Sequence, residues 1–149
     1  MPRVERNIVI RAPAERVWRV LVDPELAPEW EAGLVGVKNV GGLLDAPPAS
    51  CIQLMTFRRR TIQGEVEVTE AYAPHTRTLR LQPPLTVTAL RRERLVETDE
   101  GTRLTLELSY EIRGGPLGAL LDLAMTRPRQ AMMLAESLRN LRRLVESAP

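Results

Sequence analysis

The sequence predicts an α+β fold in which a long C-terminal helix lies over a curved antiparallel sheet of about six or seven strands. Two observations predict it. Residues 34–113 contain strand-like segments separated by Gly and Pro residues, and residues 116–146 form one long segment with apolar side chains at helical spacing. A chain of 149 residues is close to the commonest size for one domain, so we expect a single domain over residues 1–149.

The N-terminal residues predict one strand and two short helices. The strand is expected at residues 3–10, where apolar and polar side chains partly alternate. The first helix is expected at residues 13–22, because Pro13 suits the first helical turn, where its missing N–H costs nothing. A second helix is expected from Asp23 to Trp30, since Asp is a preferred capping residue and a proline follows it.

Six further strands are expected in the middle of the chain. They cover residues 34–40, 50–60, 64–73, 76–82, 85–98 and 102–113. Pro83-Pro84 and Asp99-Glu100-Gly101 mark two of the turns between them, and Gly101 is able to take a left-handed conformation. The last strand is the clearest, because its leucines share one face while charged and hydroxyl side chains share the other, as far as Arg113.

The final helix is expected at residues 116–146, after Gly114-Gly115-Pro116 ends the last strand. Pro128 lies inside this helix. It removes the hydrogen bond to the carbonyl of Ala124, which costs about 3 kcal/mol in a straight helix. We therefore expect a kink at Pro128 or a division into two helices.

The charge pattern argues against nucleic-acid binding. The net charge is only +2, the Arg and Lys residues are scattered among the acids, and aromatic residues make up 3% of the chain. A nucleic-acid-binding protein usually concentrates basic residues on one face with aromatics for stacking. The one tight basic run, Arg58-Arg59-Arg60, is interpreted as a solvated strand end, and the alternative is attraction of an acidic ligand or a membrane surface.

The small numbers of cysteine and histidine residues limit the possible disulfides and metal sites, and the hydropathy limits membrane insertion. Cys51 is the only cysteine and His75 the only histidine, so we expect no disulfide, no metal site and no cofactor. Cys51 is interpreted as an inert thiol and His75 as a solvated turn residue. The longest apolar-rich stretch, residues 116–125, is too short to cross a bilayer, and no signal peptide is visible. We expect a cytoplasmic protein without stable membrane insertion, and the oligomeric state is left open.

Several short motifs, in this order, resemble the START/Bet v 1-like (SRPBCC) superfamily, and within it the polyketide cyclase/dehydrase-like group. They lie at residues 8–18, 23–30, 70–74, 99–103 and Gly118 with the helix behind it. The resemblance implies a helix-grip fold with an apolar cavity between the sheet and the last helix. Its members bind lipids, sterols, quinones, polyketides or plant hormones, and a minority act on what they bind.

The resemblance and the strand faces suggest which side chains contact a ligand. Methionines near Pro128 suit an irregular apolar surface because their side chains are flexible, although all these residues also suit a plain core. The candidate contacts are Trp30, Met55, Val66, Val68, Tyr72, Leu90, Leu106, Leu108, Tyr110, Leu117, Leu121, Met125 and Met132.

Charged residues at positions that alternation turns inward are weak catalytic candidates. Glu70 shares its parity with Val66 and Val68, so it is expected on the inner face. A three-residue turn at 99–101 places Arg92 and Arg94 inside. A four-residue turn exchanges the faces and places Arg91 and Glu93 inside instead. The catalytic candidates are Glu70, Arg92, Arg94 and Tyr110, and the alternative for the charged ones is structural pairing or a place at the wet rim.

Three functions remain open at this point. The leading hypothesis is binding or transport of a small hydrophobic molecule, such as a lipid, quinone or polyketide-like compound. The second is a polyketide aromatase/cyclase or dehydrase-type enzyme, which requires an acid–base group inside the pocket. The third is a protein–protein regulatory partner, which would use an exposed apolar patch.

Overall fold

The computed structural model describes residues 2–57, 59–82, 88–112 and 114–147. In chain order the described elements are strand β1 (Arg3–Ile10), helices α1 (Ala14–Leu21) and α2 (Ala27–Trp30), strands β2 (Leu34–Lys38), β3 (Ser50–Phe57), β4 (Arg60–Tyr72), β5 (Thr76–Gln82), β6 (Ala89–Thr98) and β7 (Gly101–Tyr110), helix α3 (Gly115–Leu121), a π-helical turn (Asp122–Thr126) and helix α4 (Arg127–Ser147).

The seven strands form one curved antiparallel sheet in the order β1-β7-β6-β5-β4-β3-β2. Strands β2 to β7 follow one another as a meander, and β1 closes the order by pairing with β7. The helices α1 and α2 connect β1 to β2, at opposite edges of the sheet. The long helix α4 packs along β1, α2 and α1. This is the helix-grip arrangement that the sequence predicts.

The core has two parts. The larger one lies between β1, β6, β7, α1 and α4, with Ile10, Leu104 and Leu141 fully buried in it. The smaller one lies under β3, β4 and β5, and it includes Cys51 and Val66. The apolar side chains of both parts come from alternate strand positions and from one face of α4, which is why the strand and helix periodicities were informative.

The predicted element positions hold, with shifts at their ends. Helix α2 begins only at Ala27, because the side chain of Asp23 accepts a hydrogen bond from the Glu25 N–H (3.0 Å) and forms a turn instead of a helix cap. The predicted Pro83-Pro84 turn, the start of the 85–98 strand, Arg58 and Arg113 lie outside the described residues.

The β6–β7 turn has two residues, Asp99 and Glu100, so the three-residue alternative is wrong. Thr98 pairs with Gly101, and Leu95 therefore lies opposite Leu104. This register turns the same side chains inward as a four-residue turn would, because the two differ by an even number of residues.

A bulge in β4 reverses the faces expected for Glu70 and Tyr72. The register of β4 against β5 shifts between Val68 and Glu70. The extra residue moves the following side chains to the opposite face. As a result, Glu70 and Tyr72 lie on the outer face, and Ala71 takes the inner position opposite Arg77.

The interruption expected at Pro128 is a π-helical turn that comes just before it. In this turn the Arg127 N–H bonds to the carbonyl of Asp122, five residues earlier. Pro128 has no N–H to donate to the carbonyl of Ala124, so a regular α-helix would lack one backbone hydrogen bond here. The wider π turn lies at this position.

Candidate functional site

A buried ion pair lies on the concave face of the sheet. Arg77 on β5 and Glu93 on β6 face each other across paired strands, and both side chains are almost fully buried. Two parallel hydrogen bonds join them, from Nε to Oε1 (2.5 Å) and from Nη2 to Oε2 (3.1 Å). Arg77 also donates to the carbonyls of Leu44 (2.8 Å) and Leu21 (3.2 Å). This guanidinium therefore joins the sheet to the end of α1 and to the β2–β3 connection.

The pair extends into a larger polar cluster, consisting of Arg77, Glu93, Arg91, Glu31 and Gln53. Arg91 Nε donates to Glu93 Oε2 (3.1 Å), and its Nη1 donates to Glu31. Gln53 donates to the other Glu31 oxygen (3.3 Å). Burial alone would lower the pKa of Arg91, but the carboxylates of Glu31 and Glu93 outweigh it and raise that pKa above its usual value. Two arginines thus balance two glutamates inside the fold.

Trp30 lies beside this cluster with one unused polar group. Its indole is 1% exposed, and the Arg91 guanidinium lies 5.7 Å from the ring centroid, as in a cation–π contact. Asn140 of α4 donates to the Trp30 carbonyl (3.2 Å). The buried indole Nε1–H has no hydrogen-bond partner among the described residues. A buried donor without an acceptor is unfavourable and uncommon in folded proteins.

The space beside Trp30 is small. A cavity of about 10 Å³ lies between the α1–α2 region and the sheet, and Trp30, Glu31, Arg91, Gln53 and Cys51 are among its lining residues. This volume is about that of one water molecule. Burial, together with the nearby Glu31 carboxylate, raises the pKa of the Cys51 thiol to about 11, so this thiol is protonated and unreactive at neutral pH. The space lies against α1 and α2, whereas a cavity under the last helix was expected.

A second polar cluster holds the π turn to the sheet. The Tyr110 hydroxyl donates to Asp122 Oδ1, and Arg127 donates to Asp122 Oδ2 from Nε (3.1 Å) and Nη2 (2.9 Å). Asp122 is 4% exposed. Burial and the hydrogen bond to Asp122 raise the pKa of Tyr110 to about 12. The phenol is therefore neutral, and its proton is used in the hydrogen bond to Asp122. In this structure the catalytic candidate Tyr110 makes a structural contact.

The other three catalytic candidates lie on the outer face of the sheet, which is the alternative that the sequence left open for the two arginines. Arg92 is 4.0 Å from Glu107, and Arg94 is 3.9 Å from Glu5, as exposed ion pairs on the outer face. Glu70 is exposed as well. The two-residue turn reverses the face of the arginines and the β4 bulge reverses that of Glu70.

The structure divides the candidate ligand contacts into three groups. Those that lie buried on the inner side are Trp30, Val66, Val68, Leu106 and Leu108. Met55 and Tyr110 are half-buried. Among the remaining candidates, Leu90 and Tyr72 lie on the outer face of the sheet, whereas Leu117, Leu121, Met125 and Met132 are 50–67% exposed on the last helical segment.

The polar cluster contains residues that sequence reasoning did not select. Arg91 and Glu93 are expected inside only in the alternative register of β6. Arg77 shares its parity with Leu79 and Leu81 on a short strand, and this signal could have marked it as an inward charge. Glu31 has no comparable signal, because it follows α2 and reaches Arg91 only through the tertiary fold.

Within residues 2–57, 59–82, 88–112 and 114–147, no three His, Cys, Asp or Glu side chains come together as a metal site. None of the helices in that part of the chain is both long and apolar enough to cross a membrane.

Comparison with known proteins gives a family and a fold. A sequence model of the family described as polyketide cyclase / dehydrase and lipid transport matches residues 1–146. No curated protein matches significantly. Among solved structures, a conserved protein from Geobacillus kaustophilus is 19% identical with a TM-score of 0.77, covering 97% of this chain and 95% of its own. A protein from Rhodobacter sphaeroides is 20% identical (TM-score 0.74; 99% and 94% covered). Ara h 8.0201 is 13% identical (TM-score 0.71; 99% of both chains). At these identities the likeness concerns the fold, which is the Bet v 1-like fold.

Proposed function

Since this chain belongs to the polyketide cyclase/dehydrase and lipid transport family, we propose that it binds a small hydrophobic molecule between the concave sheet face and the helices that cover it. The inner face supports this proposal, because it combines apolar side chains with one compact polar cluster. Val66, Val68, Leu106 and Leu108 are among these apolar side chains, which pack in the core in the present structure. Ligand sites commonly have this composition, in which a few placed polar groups orient a molecule held mainly by apolar contact.

The unpaired indole N–H of Trp30 is the observation on which the proposal rests. This donor is buried, lines the interior space and lacks an acceptor among the described residues. A ligand oxygen, as in a carbonyl, carboxyl or hydroxyl group, would supply that acceptor. We therefore expect a ligand with an apolar body and one oxygen-bearing end, with that end against Trp30.

Binding requires part of the cover to move, because the present cavity holds about one water. The elements suited to this movement are α3 and the π turn. They pack mainly on each other and on α4, and the Tyr110–Asp122 hydrogen bond joins them to β7. Their displacement would uncover the half-buried Tyr110 and the adjoining inner face.

The enzymatic alternative receives less support. A cyclase or dehydrase needs an acid or base that is available inside the site. Within the described part of the concave face, Glu93 and Glu31 are both bound by arginines, and the Cys51 thiol has a raised pKa. These side chains are held by one another and would orient a bound ligand, which favours binding over catalysis.

The test begins with native mass spectrometry of protein purified gently from its source. We expect one apolar molecule per chain. A medium-chain fatty acid, a terpenoid alcohol and a short-chain quinone are then titrated into the Trp18→Phe variant, in which Trp30 is the remaining tryptophan. A saturable change in its fluorescence is expected with at least one of them.

Trp30→Phe tests the proposed donor. This substitution removes the N–H and keeps an aromatic ring. Affinity measured by calorimetry should fall about fivefold, the equivalent of one hydrogen bond, while the free energy of unfolding changes by less than about 1 kcal/mol, because the lost packing is offset by removal of an unpaired donor. Protein that is always empty, with no response to any of the three compounds, would contradict the proposal and favour a protein partner.

A further inference from the structure

The segment from Gly115 to Met132 has its polarity reversed relative to the rest of the fold. Its one acid, Asp122, is 4% exposed, while six large apolar side chains are 50–67% exposed. Those six are Leu117, Leu120, Leu121, Leu123, Met125 and Met132. A helix that packs on a core normally has its apolar face inside. We call these six side chains the apolar stripe.

Part of the apolar stripe lies along one face of the helical segment. Leu117, Leu120 and Leu121 have the i, i+3, i+4 spacing of one helix face, and the π turn continues that surface to Met125. Scattered apolar residues on a surface need no explanation, but a run of this kind marks an interaction site.

The charges around the stripe indicate what it contacts. Asp122 is the only acid between residues 114 and 135, and Arg127 already binds it. Arg129 is exposed beside the stripe, and Arg113 immediately precedes the segment in the sequence. An exposed apolar face with Arg129 beside it and its acid withdrawn complements a bilayer surface that presents anionic headgroups above acyl chains.

We infer that the apolar stripe docks this protein on anionic membrane surfaces, lying in the interface without crossing it. Leu117, Leu120, Leu121 and Met125 enter the boundary between headgroups and acyl chains, and Arg129 contacts lipid phosphates. A second copy of the chain fits this face less well, because it would bring like charges together. The inference goes beyond ligand binding and is tested without any ligand.

The experiment is vesicle co-sedimentation of the full chain. Vesicles of equal parts phosphatidylglycerol and phosphatidylcholine are compared with vesicles of phosphatidylcholine alone. We expect binding to the anionic vesicles that weakens with added salt. Leu120→Gln should reduce partitioning about tenfold, as expected for losing one inserted leucine. Arg129→Gln should reduce it about fivefold.

Two control variants make the same chemical changes elsewhere. Leu43→Gln alters a leucine that is 47% exposed in the β2–β3 connection, and Arg142→Gln removes an exposed charge near the end of α4. Neither should change partitioning, and urea midpoints confirm that all four variants are folded. The inference is overturned if wild type ignores anionic vesicles, if Leu120→Gln binds as well as Leu43→Gln, or if sedimentation shows a dimer that only Leu120→Gln dissociates.

Discussion

Replacing Arg77 by Met isolates the energetic role of the buried cluster. Met has a similar length and no charge, so the change removes four hydrogen bonds with little change in volume: two to Glu93 and one each to the carbonyls of Leu21 and Leu44. Glu93 stays 1% exposed and keeps only the bond from Arg91 Nε. Breaking a buried pair by removing one partner costs about 3–5 kcal/mol. We expect a loss of about 4 kcal/mol in the free energy of unfolding, measured by urea denaturation with tryptophan fluorescence.

The double variant Arg77→Met/Glu93→Leu distinguishes an unpaired charge from lost packing. Because it also removes the stranded carboxylate, it should recover about 2 kcal/mol relative to Arg77→Met. Arg94→Met is the matched control, because Arg94 is 60% exposed and its ion pair with Glu5 is long, at 3.9 Å. This substitution should change the free energy of unfolding by less than about 0.5 kcal/mol. A loss below about 1 kcal/mol in Arg77→Met, or a double variant less stable than the single one, would refute this reasoning.

Two other predictions follow from single buried positions. The pKa of the Cys51 thiol rises to about 11 on folding, so the folded state keeps a proton that the unfolded state releases from about pH 9 upward. Stability should therefore fall with rising pH, by about 1 kcal/mol between pH 9 and pH 10, and Cys51→Ala should lose that part of the slope in parallel urea titrations; equal slopes would contradict it. Gly101 has φ +142°, and a Cβ there would lie 2.1 Å from the Ile10 carbonyl oxygen. Gly101→Ala should lower the unfolding free energy by more than about 2 kcal/mol, whereas Gly41→Ala, with open space around it, should change it by less than about 1 kcal/mol; similar losses in both would argue against a steric cause.

Local patterns were enough to predict the element order. The alternation in β7 and the proline and glycine punctuation depend on neighbouring residues alone. The β4 bulge at Val68–Glu70 has no such signature, and one extra residue there was enough to reverse Glu70 and Tyr72.

The cluster was out of reach of sequence reasoning because its members come from distant parts of the chain. Glu31 and Arg91 are separated by 60 residues and meet only when β6 passes under α2. Which arginines of β6 lie inside depends on the length of a single turn, and Asp99-Glu100-Gly101 is compatible with more than one length.

Periodicity likewise identifies a helix face without saying where it points. Leu117, Leu121 and Met125 were expected to contact a ligand, yet a core and a solvent-facing surface have the same helical spacing, and these side chains are exposed. The burial of Asp122 with Tyr110 is what orients this segment, and that contact is tertiary.

The hydrogen bonds of Arg77 also make one half of the molecule more rigid than the other. One guanidinium braces β5 and β6 against α1 and the β2–β3 connection. That half is stiff, because moving any one part would break bonds to the others. The opposite end is compliant, since α3 and the π turn meet the sheet through Tyr110. A ligand would therefore enter the interior at the compliant end, beside α3 and the π turn. A disulfide that joins α3 to β7 would block this entry and leave the half held by Arg77 unchanged.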